Sequence, residues 1–176
     1  HLTNRRQRQM CIRDRQMGEI VGDLLADQVN HGSADAVQLF DTWAGLLSPD
    51  IYREFAMPAT AKTIEVFREK VGKDVPVIHY AKGSGHLHGA IRELDLNAIS
   101  LDWRDNLANN RQQFGDKFAF QGNLDPSLLH GSTEMAKLAT RDVLNAAGNK
   151  PGHIFNLGHG FAPSARIESV SYTHLR

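Results

Sequence analysis

Short apolar runs with strand character alternate strictly with amphipathic helical runs along this chain, and that alternation most narrows what it can fold into. Ala36 to Phe40, Val75 to His79, Ala98 to Leu101, Phe118 to Phe120 and His153 to Phe155 read as five strands. A helix is expected over about 17–30, where Ile20, Val21, Leu24, Leu25 and Val29 recur at helical spacing. Ser48 as N-cap and Pro49 in the first turn open a second helix that runs to Val71 and stops at Gly72. Further helices are expected over about 84–94, about 105–114 and from Thr133 to Ala147, the last ending at Gly148. Strand, helix, strand in unbroken succession implies parallel βαβ units with right-handed crossovers. Spacing alone does not choose between an open doubly wound sheet and a (β/α)8 barrel, and no G-x-G-x-x-G element follows the first strand to favour a dinucleotide.

The strands end abruptly in polar, glycine-rich loops, most clearly in KFAFQGNLDPSLLHG at 117–131 and GHIFNLGHG at 152–160. In parallel α/β architectures the residues just past the C-terminal strand ends face the ligand pocket. Asn123, Asp125, Asn156, His159 and Asp102 fall there, so they are the candidate site residues. Several have a plain structural reading of equal or greater weight. Asp125 before Pro126 and Ser127 suits a helix start, Asn123 after Gly122 suits a tight bend, and Asp102 suits a loop anchor that accepts backbone N–H bonds. His159 between Gly158 and Gly160 is either a turn residue or a ligand contact to which the glycines allow close backbone approach. Trp43 and Trp103 line an aromatic wall or pack between layers. Lys82-Gly83-Ser84-Gly85 lacks the order of a phosphate loop and is expected to shape a pocket mouth. His79, His86 and His88 invite a zinc reading, but residues two apart on a helix point to different faces, so a solvated histidine face is expected and no metal is assigned.

Composition removes other classes of function. Twenty basic and twenty acidic residues balance to zero net charge, leaving no field to recruit nucleic acid or an anionic membrane, and neither is expected as a partner. No apolar run approaches the roughly 20 residues of a membrane span, and the N-terminus lacks the apolar core of a secretory signal, so a cytoplasmic location is expected. Cys11 is the sole cysteine and has no second thiol to pair with. Residues 1–16 are polar and arginine-rich without apolar periodicity, and are expected to be a non-native or disordered extension. Residues 171–176 (SYTHLR) are expected to be a non-native tail.

QLFDTWAG at 38–45, PVIHYAKG at 76–83 and ISLDW at 99–103, together with the two loop segments above, resemble the C-terminal half of uroporphyrinogen decarboxylase over roughly residues 17–170. The resemblance implies a (β/α)8 barrel. Such a barrel needs about 250 residues, so this chain supplies the C-terminal portion, about five parallel strands alternating with helices. Open sheet edges would then favour self-association or poor solubility. The implied activity is conversion of uroporphyrinogen III to coproporphyrinogen III by four acetate decarboxylations in haem and porphyrin biosynthesis, with no cofactor, in a homodimeric cytoplasmic enzyme whose ligand is a tetrapyrrole. Thr42 and His159 match the family's substrate-binding positions, with Asp102, Asn123, Asp125, Asn156, Gly158 and Gly160 around the implied pocket. The charge-stabilising aspartate and the carboxylate-gripping arginines belong to the family's N-terminal half, so a fragment without catalytic turnover is expected. One alternative is a zinc-dependent methyltransferase of the same superfamily, which uses a His-x-Cys pair where this chain has His79-Tyr80-Ala81. Another is a non-catalytic binding module or remnant.

Overall fold

The structure, a computed structural model, describes residues 2–115, 117–148, 150–161 and 163, with side chains from Ile12 onward. The 171–176 tail lies outside the described residues. Strands β1 (Val37–Phe40), β2 (Val77–Tyr80), β3 (Ala98–Ser100), β4 (Ala119–Gln121) and β5 (His153–Ile154) form one sheet in the order β1-β2-β3-β4-β5. Every neighbouring pair is parallel. A doubly wound sheet reverses its strand order at a switch point, whereas a barrel adds each strand beside the last, and the order here is that of a barrel arc. The sheet also curls. Gln121 Nε2 on β4 donates to Gln38 Oε1 on β1 at 3.0 Å, although those strands are three steps apart, roughly 14 Å in a flat sheet.

Register divides the strands into two faces. Gln38, Phe40, Tyr80, Ser100 and Gln121 share the concave face, and Val37, Val77, Ile99 and Phe120 point the other way, buried against the helices. Fully burying each such apolar side chain contributes about 1.5–3 kcal/mol. Helix α1 (Leu2–Asn30) crosses α3 (Met57–Val71) with the backbones close together. A Cβ on Gly18 would lie 2.7 Å from the Ala59 carbonyl, and one on Gly22 2.7 Å from that of Thr63. The apolar stripe read from the sequence splits as a result: Leu25 is buried beside the small Ala26, while Ile20 and Leu24 are exposed. Helix α1 also begins far earlier than position 17. Residues 2–16 contain neither glycine nor proline and are rich in arginine and glutamine, so helix propensity carries the turn pattern where apolar periodicity is missing.

The helix expected from Pro49 to Val71 is interrupted. Ser48 Oγ caps α2 (Pro49–Ile51), a π turn spans Tyr52–Ala56, and α3 follows to Gly72, which ends it at φ 82°. Pro58 has no N–H to give back to the preceding turn and its ring crowds the carbonyl there, which the wider π turn accommodates. The segment at 84–94 is a 3-10 turn (Gly85–Leu87) leading into the single turn α4 (His88–Ile91). Helix α5 (Leu107–Phe114) starts from Asn106, whose Oδ1 accepts the Asn109 N–H, and α6 (Thr133–Ala147) starts from Ser132 and ends at Gly148 with φ 71°. At the opposite end of the sheet from the long loops, Arg68 ties α3 to the strand starts, donating to the Val75 carbonyl at 2.6 Å and to Asn97 Oδ1 at 2.7 Å.

Candidate functional site

The loops after β2, β3, β4 and β5 converge at the C-terminal edge of the sheet. Asp102 organises them. It is fully buried, its Oδ2 accepts from the Gly83 N–H at 2.6 Å, from Arg104 Nε at 3.0 Å and from Arg104 Nη2, and its Oδ1 accepts from the Arg104 N–H at 2.8 Å. Burial alone would raise its carboxyl pKa, but the Arg104 guanidinium and the two backbone N–H groups outweigh burial and hold it below the usual carboxylate value. An aspartate saturated in this way anchors a loop, the structural reading of its sequence position. Asn123 pins the same loop from β4, its Nδ2 donating to the carbonyls of Asp102 at 2.8 Å and Asp105 at 2.7 Å. Gly158 packs against the loop from β5. A Cβ there would lie 2.2 Å from the Trp103 nitrogen, so only glycine fits.

His159 sits where these loops meet the concave face. Its Nδ1 is 3.0 Å from the Tyr80 hydroxyl, which also lies 3.0 Å from the Gly158 carbonyl. The imidazole stacks on the Tyr80 ring at 5.9 Å and on Trp103 at 6.1 Å, and Lys82 and Arg104 lie over the Trp103 ring, at 5.7 and 4.8 Å from its centre. Burial first, and then the charges of Asp102 and Asp105, push the Tyr80 phenol up to about 12, against the opposing charge of Arg104. Tyr80 is therefore a neutral donor throughout the physiological range. A cavity of about 270 Å³ opens beside it, lined by Gln38, Tyr80, Ser100, Gln121, Asn156 and His159, with Phe40, Leu157, Gly160 and Phe161 completing the wall. Its floor is polar because Gln121 Nε2 bonds both Gln38 and Ser100 Oγ.

The residues singled out from sequence separate into groups. His159, Asn156 and Gly160 line the cavity, and Gly158 does not but meets the lining residue Tyr80 through its carbonyl. Thr42 is on the same rim, two residues past β1 and half-buried, but it is not among the cavity's lining residues. Asp125 accepts the Ser127 N–H at 2.8 Å and caps the 3-10 helix Pro126–His130, as its position before proline suggested. Trp103 belongs to the aromatic wall, whereas Trp43 is 76% exposed.

The solvated histidine face is a correction. His86 is exposed and bonds the Leu47 carbonyl, but His79 and His88 are buried. β2 is an interior strand of a parallel sheet with helices behind it, so every residue on it is covered. His88 holds Asn110 Oδ1 at 2.7 Å, while neither ring nitrogen of His79 has a partner among the described residues, and burial, followed by the nearby His88, depresses its pKa to about 4. Among the described residues, no group of three or more histidine, cysteine, aspartate or glutamate side chains converges to hold a metal ion.

Sequence reasoning did not single out Tyr80, Gln38, Ser100 or Gln121. Their signal was a polar or phenolic residue inside a short apolar strand (VQLF, VIHY, AIS, AFQ). Only the register, which sets Gln38, Tyr80, Ser100 and Gln121 on one face and the equally polar His79 on the other, tells which of them face the lumen.

No helix among the described residues is long and apolar enough to cross a membrane. Comparison with known proteins agrees with the barrel arc. A methyltransferase from Methanosarcina mazei has the same fold at a TM-score of 0.66 and 19% identity, over 82% of this chain and 42% of that one. Uroporphyrinogen decarboxylase of Coxiella burnetii (strain RSA 493 / Nine Mile phase I) is 42% identical over 139 residues, covering 78% of this chain and 38% of the relative. That of Streptomyces avermitilis is 41% identical over 162 residues, covering 90% of this chain and 44% of the relative. The chain thus spans about 40% of the length of these curated relatives. The family model for uroporphyrinogen decarboxylase (URO-D) matches residues 15–173, and with identity at this level the chain belongs to the uroporphyrinogen decarboxylase family.

Proposed function

We propose that this chain carries the C-terminal wall of a tetrapyrrole pocket in a cofactor-free carboxy-lyase that converts uroporphyrinogen III to coproporphyrinogen III in haem and porphyrin biosynthesis. The observation that carries this reading is the place of His159, on a cavity at the C-terminal strand ends and beside two exposed-side cations, in a chain of this family. Removing an acetate carboxyl from a pyrrole proceeds when the ring is protonated at the carbon bearing the side chain. The C–C bonding pair released with carbon dioxide then neutralises the cation. What the protein must supply is a grip on the substrate carboxylates and a negative group at the developing positive charge.

The residues here suit the first task. His159, and Thr42 across the rim, would hydrogen-bond side-chain carboxylates, Asn156 and Gly160 would border them, and Lys82 and Arg104 would favour their approach. They do not suit the second. Asp102 is already committed to four donors and Asp125 caps a helix, so the charge-stabilising carboxylate is assigned to a part of the family fold that this chain does not span. The complete enzyme is read as a cytoplasmic homodimer.

The test is direct. Incubation of the chain with uroporphyrinogen III, with products separated by chromatography, should yield no coproporphyrinogen. Uroporphyrin III should nevertheless quench or shift on binding, about tenfold more weakly for His159→Gln, the scale of one hydrogen bond to a charged group. Turnover by this chain would overturn the division of roles, and binding indifferent to His159→Gln would remove His159 from the site. A zinc methyltransferase reading draws on the Methanosarcina mazei neighbour, but that likeness concerns the fold, and Ala81 stands where the thiolate is needed. Stoichiometric, tight zinc uptake in a titration would favour it instead.

A further inference from the structure

The geometry points to Tyr80 as the positioning residue that fixes the tautomer of His159, so that His159 grips a ligand carboxylate only by taking up a second proton on Nε2. This rests on the reading of His159 as a carboxylate contact. Three polar groups meet here and must share the available protons. The Gly158 carbonyl can only accept, the Tyr80 hydroxyl has one proton to give, and His159 Nδ1 lies at the same 3.0 Å from that hydroxyl as the carbonyl does. If Tyr80 donated to Nδ1, the buried Gly158 carbonyl would lose the only donor it has among the described residues. A single arrangement satisfies all three groups: the Tyr80 O–H donates to the Gly158 carbonyl, and Nδ1–H donates to the Tyr80 oxygen.

In the neutral ring that arrangement leaves Nε2 as a bare lone pair, which repels a carboxylate. Binding one therefore requires a proton from solvent at Nε2. The imidazolium then donates in two directions, to Tyr80 on one side and to the ligand on the other, and the two rings that flank it hold its plane. The charged and titratable groups around the pair are Lys82 and Arg104, lying on Trp103, and Asp102 and Asp105, whose charges act on Tyr80. β1 and β4 face it with the uncharged Gln38, Phe40 and Gln121, and the β5 loop with Asn156. Nδ1 is thus committed within the protein, and only Nε2 answers to the ligand.

The test combines two readouts on the full chain and its Tyr80→Phe variant. Long-range 1H–15N correlation spectra of histidine-labelled protein report which nitrogen of His159 is protonated when the ring is neutral, with His159→Gln assigning the signal. Uroporphyrin III binding is followed by fluorescence across pH. The expected result is an Nδ1–H tautomer in the unsubstituted chain that shifts toward Nε2–H in Tyr80→Phe. Affinity for uroporphyrin III should fall as pH rises, with a limiting slope of about tenfold per pH unit as one-proton uptake requires, and that slope should flatten in Tyr80→Phe. An Nε2–H tautomer in the unsubstituted chain, or a tautomer unchanged by Tyr80→Phe, overturns the proposal without needing any variant to bind. The expected tautomers with no uroporphyrin binding would instead overturn the carboxylate-binding reading while leaving the Tyr80 relay in place.

Discussion

Tyr80 and His79 are neighbours on β2 and face opposite sides of the sheet, and the two sides treat polar groups differently. On the concave side the polar groups of the strands are paired, Tyr80 with His159 and Gly158 and Gln121 with Gln38 and Ser100. The β3 loop beyond them pairs Asp102 with Gly83 and Arg104 but leaves Asp105 Oδ2 buried without a hydrogen-bond partner among the described residues. On the helix side His79 is fully buried with both ring nitrogens unpartnered among the described residues. An unmet buried polar group costs about 1–3 kcal/mol, a penalty that the helix side of the strands carries at His79 and their concave side does not. The difference teaches where rigidity is placed. The concave face ties its polar side chains to one another by hydrogen bonds, the rigidity that a preorganised site would need, while the helix layer relies on apolar packing strong enough to carry a misfit.

The comparison breaks most readily at Gly158. Gly158→Ala places a Cβ against the backbone of Trp103, which cannot swing aside, and should cost about 4 kcal/mol or prevent folding. A urea midpoint close to that of the parent chain would mean the loop cluster is soft. Asp102→Ala should cost about 3 kcal/mol, because it strands the Gly83 and Arg104 N–H groups and the guanidinium together. Since the folded carboxyl titrates below its unfolded value of 3.8, its stabilisation is fully present above that pH and is lost as pH falls through the lower folded value. The gap between variant and parent should therefore close in acid, and a gap independent of pH would assign the loss to packing.

His79→Leu tests the other face and should act in the opposite direction. The unfolded imidazole takes its proton near 6.5 and the folded one only near 4, so the parent chain loses stability as pH falls through that window. The variant should lack that acid limb and be more stable by about 2 kcal/mol at pH 5, measured by thermal unfolding at several pH values. If it is less stable at every pH, His79 has a partner in solution and the contrast between the faces fails. The smallest effect is expected for Gln121→Ala, about 1 kcal/mol from two neutral hydrogen bonds, with a larger consequence for uroporphyrin binding than for stability.

What was legible in the sequence was local. The end of helix α6 could be placed at Gly148 because a stop acts within one turn, and the same locality holds for Asp125 at its 3-10 helix. The strand centres were legible because short apolar runs bounded by glycine and asparagine have few other readings. The π turn was missed although Pro58 announced a break, since proline in a first turn and proline within a longer helix look alike until the preceding turn is known. The contact between Tyr80 and His159 spans 79 positions and depends on the register of four strands, and no window of sequence encodes it. His79 was misjudged because it was read with His86 and His88 as one cluster, when its place inside a covered strand decided its fate.

The bond between Gln38 and Gln121 joins strands that are not neighbours, and it acts on the arc as a string acts on a bow. Backbone pairing sets the spacing between adjacent strands but leaves the bend free within limits. The combined reach of two amide side chains then sets how wide the hollow stands at that depth. A shorter pair would draw β1 toward β4, and a longer or like-charged pair would let them spring apart. The breadth of the hollow on this face is therefore measured out by the length of two glutamines.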